Sequence, residues 1–260
     1  MNSFLPWLGG KRRLANLIAG HLERLPHARY VEPFVGAGHV FFRKSPAAGE
    51  VLADANAELM VLYRVLQRHL EEFLRHFRWA LVSRAEFERQ KAARPDTLTD
   101  VQRAVRFYYL QKLAFGGRAV EQSFGVDTLH RPRINLLRLE ETLSAVHLRL
   151  AGVGLECLDW RACLARHDGP DTLFYLDPPF WGSEDDYGAG LFAREDFAAL
   201  RDALGGLRGR FVLSLNDRPE VRALFADFHL LPVQTLYTIH ARINTSQAAE
   251  LLISNAALAG

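Results

Sequence analysis

Apolar positions along the chain fall into two rhythms. Near-continuous apolar runs at Arg29–Phe34, Glu50–Asp54, Val153–Leu158, Asp171–Asp177, Arg210–Asn216, Leu230–Thr238 and Glu250–Ser254 predict strands. Several read as strands buried on both faces, as parallel strands are. Helical spacing fills the intervals. Leu14, Leu17, Ile18, Leu22 and Leu25 make one apolar face. Leu59, Leu62, Leu66, Leu70, Phe73 and Phe77 predict one long helix, and Phe197, Leu200 and Leu204 predict another. Asp217-Arg218-Pro219-Glu220 reads as a capping box that opens a helix toward Phe228. Strands alternating with helices predict an α/β fold with a doubly wound sheet. No helical pattern separates the strands after Leu230, so they are expected to end the sheet as an antiparallel hairpin.

The rhythm breaks between residues 64 and 148. That stretch is mostly helical and ends in a loop bearing glycine and arginine. The pattern divides the chain into a core, residues 1–63 and 149–260, and an insertion, residues 64–148. Overall charge adds little, because the 260 residues carry a formal net charge of only +2. Its distribution adds more. Arg103, Arg106, Lys112, Arg118, Arg131, Arg133 and Arg138 are opposed only by Glu121 and Asp127. Tyr108, Tyr109, Phe115 and Phe124 lie among them. Basic groups interleaved with aromatics suit phosphate contact and base stacking.

Other classes recede. No run approaches about 20 uncharged apolar residues, which argues against a membrane span. The N-terminus lacks the apolar core of a signal peptide. The Cys-x5-Cys spacing of Cys157 and Cys163 admits a structural disulfide, but free buried thiols in a reducing compartment are expected, and no zinc-like pairing joins them to the histidines.

Three segments carry candidate chemistry. Asp177-Pro178-Pro179-Phe180 follows the apolar run Thr172–Leu176. An acid and two prolines at the tip of a buried strand offer rigid acceptors for an exocyclic amino group, and the aromatic ring can stack on the base that carries it. Tyr30-Val31-Glu32-Pro33-Phe34-Val35-Gly36-Ala37-Gly38 runs from a strand into a Gly-x-Gly turn. Such a turn admits a close ligand, and a helix after it would present free N–H groups. The next strand ends at Asp54, which suits ribose hydroxyls or an N-cap for the helix from Ala57. Finally, Pro6-Trp7-Leu8-Gly9-Gly10-Lys11-Arg12-Arg13 opens the first helix with two glycines and a lysine.

In this order the three segments resemble the Dam family of DNA adenine-N6 methyltransferases, the D12 class. Leu52-Ala53-Asp54-Ala55-Asn56, Cys157-Leu158-Asp159-Trp160, Phe192–Phe197, Leu213–Asp217 and Glu250–Asn255 extend the similarity over nearly the whole chain. Two positions depart from the family pattern. Phe180 stands where Tyr is usual, and Pro6 stands where a basic residue is common.

The resemblance implies a class I methyltransferase sheet, S-adenosylmethionine as methyl donor, and adenine N6 in double-stranded DNA as acceptor, with base flipping. It implies that Asp177 and Pro178 bind the amino group, Pro179 stiffens the loop and Phe180 stacks on the base. Trp7, Gly10, Lys11, Pro33, Phe34, Gly36 and Gly38 would hold the cofactor, with Asp177 beside them. Asp54 would take its ribose, and Asp159 and Trp160 its adenine. Lys112, Arg118, Arg131 and Arg133 would contact DNA, and Gly116-Gly117 would turn the recognition loop. The Trp181–Gly190 segment would be a lid or a surface loop. No metal is called for. A cognate restriction enzyme is a candidate partner, and a cytoplasmic, bacterial or phage setting follows. Two other readings use the same residues: an RNA adenine or cytosine-N4 methyltransferase, and a DNA-binding module that kept the fold without the chemistry.

Overall fold

A computed structural model of the chain describes residues 4–78, 80, 82–115, 122–125, 134, 136–184, 190–238 and 245–258. Its strands are β1 (Arg29–Glu32), β2 (Gly49–Ala53), β3 (Gly154–Glu156), β4 (Thr172–Leu176), β5 (Arg210–Asn216), β6 (His229–Thr238) and β7 (Thr245–Ser254). They form one sheet in the order β3-β2-β1-β4-β5-β7-β6. The first five run parallel. The last strand, β7, lies antiparallel between β5 and β6, which completes the expected hairpin. Strand order reverses between β1 and β4, so the loops leaving these two strands diverge and open a crevice.

Successive strand residues point to opposite faces, and each face has its own core. On one face Leu173 and Tyr175 of β4 join Leu52, Val212 and Leu252. The helices covering them are α1 (Ala15–Arg24), α2 (Ala57–Arg68), α3 (Leu70–Phe77), α5 (Asp100–Leu113) and α6 (Leu136–Leu150). On the other face Phe174 and Leu176 join Val31, Phe211, Leu213 and Ile253 beneath α7 (Trp160–His167), α8 (Asp196–Gly205) and α9 (Pro219–Leu224). The remaining helix, α4 (Arg84–Ala92), packs on α5. The expected insertion boundary at residue 64 falls inside α2, and α5 and α6 share the core of the first face.

Three local expectations are corrected. The long helix over Leu59–Phe77 breaks at His69, whose backbone leaves helical geometry (φ −135°, ψ 38°). The break lets Phe73 and Phe77 of α3 meet Tyr108 of α5 at 5.5 and 5.4 Å between ring centres. The capping box at Asp217 does not form. Asp217 instead takes two bonds from the Arg222 guanidinium, at 2.6 and 2.7 Å, a stronger charge-assisted pairing than a cap. Arg218 takes the cap position, Pro219 fills the first turn, and α9 ends at Leu224. After Gly38, residues 39–44 form turns rather than a regular helix. No helix among the described residues is long and apolar enough to cross a membrane.

Candidate active site

The crevice between β1 and β4 is a cleft that takes in about 860 Å³ of empty space, part of it open to solvent. Its back wall is the turn that follows β1. Gly36 and Gly38 adopt φ of +48° and +64°, a conformation that L side chains rarely take. Space excludes side chains as well. A Cβ on Gly36 would lie 2.8 Å from the Trp7 indole nitrogen, and one on Gly38 would lie 2.8 Å from the Tyr63 hydroxyl. Tyr63 donates to the Gly36 carbonyl at 3.0 Å and fixes the turn from below.

Asp54, just past β2, lines the same cleft. Its carboxylate accepts from the backbone N–H of Gly36 (3.0 Å) and of Asn56 (2.9 Å). Burial outweighs these two bonds and pushes its pKa up to about 6. The N-cap of α2 is Asn56, which accepts from Leu59 N–H at 3.1 Å, so the cap expected of Asp54 belongs to its neighbour. On the far side Asp159 caps α7 through Ala162 N–H at 2.8 Å. Trp160 lies beside it, its ring covered by the Arg161 guanidinium at 4.3 Å. The Trp160 indole N–H is buried and finds no acceptor among the described residues.

The cleft opens toward the loop that leaves β4. Lys11 is almost fully buried, and its Nζ reaches Asp177 Oδ1 at 2.6 Å and Glu250 Oε2 at 3.7 Å. The same ammonium sits 4.3 Å from the centre of the Phe180 ring. Burial alone would lower its pKa, but the two carboxylates more than offset this and leave it raised. Ser214 of β5 donates to Asp177 Oδ1 at 2.8 Å and lies 3.1 Å from the Tyr175 hydroxyl. Farther along the loop, the Asn216 side chain accepts from Trp181 N–H (2.9 Å) and donates to the Trp181 carbonyl (3.0 Å). The Trp181 ring packs on Phe197. Rigid β-sheet residues therefore hold the loop at both ends.

Trp7, Gly10, Lys11, Pro33, Phe34, Gly36, Asp54, Asp159, Trp160, Asp177 and Pro179 all line the one cleft. Gly38 shapes it from behind. Pro178 is buried, and Phe180 is half-buried against Lys11, beyond the cleft wall. The basic stretch is less available than its charge suggested. Arg103 binds Glu58 and Asp100, and Arg106 donates to the carbonyls of Gln90 and Lys91. Lys112 is half-buried, with its Nζ 5.3 Å from the Tyr108 ring centre, and burial lowers its pKa to about 8. Arg118, Arg131, Arg133 and the Gly116-Gly117 turn lie outside the described residues, as does much of the Trp181–Gly190 segment. Cys157 and Cys163 are unbridged.

Several contributors to the cleft carry little signal in the sequence. Glu32 ends β1 inside the cleft, is 2% exposed and accepts a bond from the Tyr30 hydroxyl. Its place in the Glu-Pro-Phe segment was the available signal. His39 also lines the cleft. Burial, with Arg43, Arg12 and Lys11 nearby, lowers its pKa to about 4, and a Cβ on Gly10 would strike its ring at 2.5 Å. Ser214, Tyr175 and Glu250 sit on strands whose apolar patterns hid them.

A doubly wound sheet with this cleft at its switch point, closed by an acid-Pro-Pro-aromatic loop, has the architecture of a class I methyltransferase. A family model described as D12 class N6 adenine-specific DNA methyltransferase matches residues 7–239, and the chain belongs to that family. Among curated relatives it is similar to the Type II methyltransferase M1.LlaDCHI of Lactococcus lactis subsp. cremoris. The two are 26% identical over 98% of this chain and 95% of that protein. It is 34% identical to the DNA adenine methylase of Salmonella typhi over 44% of this chain and 42% of that protein. The DNA N-6-adenine-methyltransferase of Escherichia phage P1 is 27% identical over 86% of this chain and 31% of its own length.

Proposed function

We propose that this adenine-specific DNA methyltransferase takes its methyl group from S-adenosylmethionine in the β1–β4 cleft and acts on an adenine flipped out of duplex DNA. The observation that carries the reading is Asp177. It lines the cleft at the strand-order reversal and shares the Lys11 ammonium with Phe180, the aromatic ring of the Asp-Pro-Pro-Phe loop. The cleft's chemistry fits the donor. Asp54 offers carboxylate acceptors to a ribose. The positive-φ turn at Gly36 brings bare backbone to the cleft wall. Asp159 and Trp160 offer an acceptor, an unused indole donor and a flat face to an adenine. Trp7, Gly10, Lys11, Pro33 and Phe34 close the methionine end.

The bound cofactor supplies an electrophilic methyl sulfonium. The protein must make a poor nucleophile attack it. The lone pair of an adenine amino group is delocalised into the ring. Asp177 and the Pro178 carbonyl accept its two hydrogens and draw the lone pair out of conjugation. Both acceptors are fixed before substrate arrives, Asp177 by Ser214 and Pro178 by two locked φ angles. Phe180 stacks on the flipped base, whose amino group is out of reach inside a helix. Alignment of nitrogen with methyl supplies much of the rate.

The 64–148 excursion is the candidate DNA-reading region. Its loop residues Arg118, Arg131 and Arg133 are assigned phosphate or base contacts by their basic character alone. The Type II name of the Lactococcus lactis relative supports a place beside a cognate restriction enzyme. Incubation with labelled cofactor and duplex DNA, followed by nucleoside analysis, tests the reading. N6-methyladenine is expected from the wild type and none from Asp177→Ala, which keeps its DNA affinity. Turnover by Asp177→Ala, or label in cytosine, overturns it.

A further inference from the structure

The two oxygens of the Asp177 carboxylate are not equivalent. Oδ1 takes both the Ser214 hydroxyl (2.8 Å) and the Lys11 ammonium (2.6 Å). Oδ2 has no bond from any described residue. Ser214 has a single hydroxyl hydrogen, and the bond to Asp177 uses it. The 3.1 Å contact with Tyr175 must then run the other way, with the phenol donating to Ser214. A directed chain results: Tyr175 O–H to Ser214 O–H to Asp177 Oδ1. Both donors are anchored in the sheet. Tyr175, next to the end of β4, pairs with Val212 of β5, and Ser214 pairs with Leu252 of β7. Neither can move without disturbing the central strands. Tyr175 is almost fully buried and Ser214 completely so, and water does not compete for these bonds.

We propose that Ser214 is a positioning residue for methyl transfer. It fixes the Asp177 carboxyl plane so that Oδ2 alone faces the substrate amino group. The proposal rests on the amino-methyltransferase reading of the cleft and adds a residue that does not line it. A carboxylate on a single-bonded side chain rotates about its terminal torsion, which has broad, shallow wells. Lys11 constrains this rotation less sharply, because its ammonium is shared with Glu250 and the Gly9 carbonyl and carries no single bond direction of its own. A hydroxyl on a strand in the middle of the sheet prevents it. The geometry also explains a polar residue at a fully buried sheet position, where an apolar one would pack at no cost in desolvation. Tyr175 serves the same end at one remove. Its hydroxyl uses the acceptor side of Ser214 and leaves the hydroxyl hydrogen only Asp177 to bond.

Single-turnover methylation of duplex DNA under saturating cofactor tests the role. Wild type, Ser214→Ala, Ser214→Thr and Tyr175→Phe are compared, with S-adenosylhomocysteine affinity and Tm measured on the same samples. Losing a hydrogen bond to a charged group predicts a rate about 10- to 100-fold lower in Ser214→Ala. Cofactor affinity and the KM for DNA are expected to stay within about twofold of wild type. Ser214→Thr restores most of the rate because it restores the hydroxyl, and Tyr175→Phe shows a smaller loss of the same kind. A Ser214→Ala rate within about twofold of wild type overturns the proposal. So does a rate loss matched by an equal loss of cofactor affinity, because Ser214 would then support the cleft and not the carboxylate. A wild-type protein that transfers no methyl group refutes the reading of the site itself, and the role of Ser214 with it.

Discussion

Glu32→Gln probes a buried acid whose burial outweighs the pull of the nearby Lys44 ammonium. Glu32 is 2% exposed, and burial raises its pKa from the ordinary 4.5 to about 8. The bond from Tyr30 pulls the value down and nearby Asp177 pushes it up, but burial dominates. The folded protein therefore keeps a proton that the unfolded chain releases above pH 4.5. Stability falls as pH climbs from 4.5 to about 8 and then levels off, since above both values the two states bind the same number of protons. At about 1.4 kcal/mol per pH unit, the penalty reaches about 3 kcal/mol at pH 7 and between about 4 and 5 kcal/mol above pH 8. Glutamine is neutral throughout and keeps an oxygen to accept from Tyr30. The variant is expected to match the wild type near pH 4.5 and to exceed it by about 3 kcal/mol at pH 7. Urea unfolding of both proteins from pH 5 to pH 8.5 measures the difference. A difference that does not change with pH would show that Glu32 is ionised in the folded protein, and the reasoning would fail.

Three further outcomes are expected. Phe180→Ala lowers methyl transfer about 10- to 100-fold through lost stacking, whereas Phe180→Tyr stays active; an inactive tyrosine variant contradicts the stacking role. Gly38→Ala forces a Cβ to within 2.8 Å of the Tyr63 hydroxyl and 2.9 Å of Phe42 at positive φ, and it costs about 1–3 kcal/mol; an unchanged Tm contradicts this. Lys11→Met leaves Asp177 and Glu250 facing each other without their cation and destabilises the protein by about 3–5 kcal/mol; a loss below about 1 kcal/mol in urea unfolding would mean that the ion pair is weak.

The sheet was legible because its central strands are buried on both faces. Continuous apolar runs such as Thr172–Leu176 admit few other readings, and each predicted run coincides with a strand, although β7 begins five residues earlier, at Thr245. The cleft was legible because its residues sit at strand ends next to turn-forming glycines and prolines. What stayed hidden depends on tertiary contact. His69 breaks a helix whose apolar spacing continues through the break, because Phe73 and Phe77 gain more by packing on Tyr108. Asp217 gives up its cap to Arg222, a choice that local sequence cannot rank. The charge of Arg103 and Arg106 looked free until partners distant in the sequence claimed it. Ser214 and Glu250 lie in segments that the family resemblance covers, but their contacts with Asp177 and Lys11 arise only when the sheet assembles.

The Lys11–Asp177–Glu250 cluster joins the segment before α1, the loop after β4 and strand β7. Strand β7 lies beside β5, and β5 beside β4, so Glu250 and Asp177 hold one ammonium across the width of three strands. A change of charge at Glu250 is therefore felt at Asp177 through Lys11, with no movement of the strands between them.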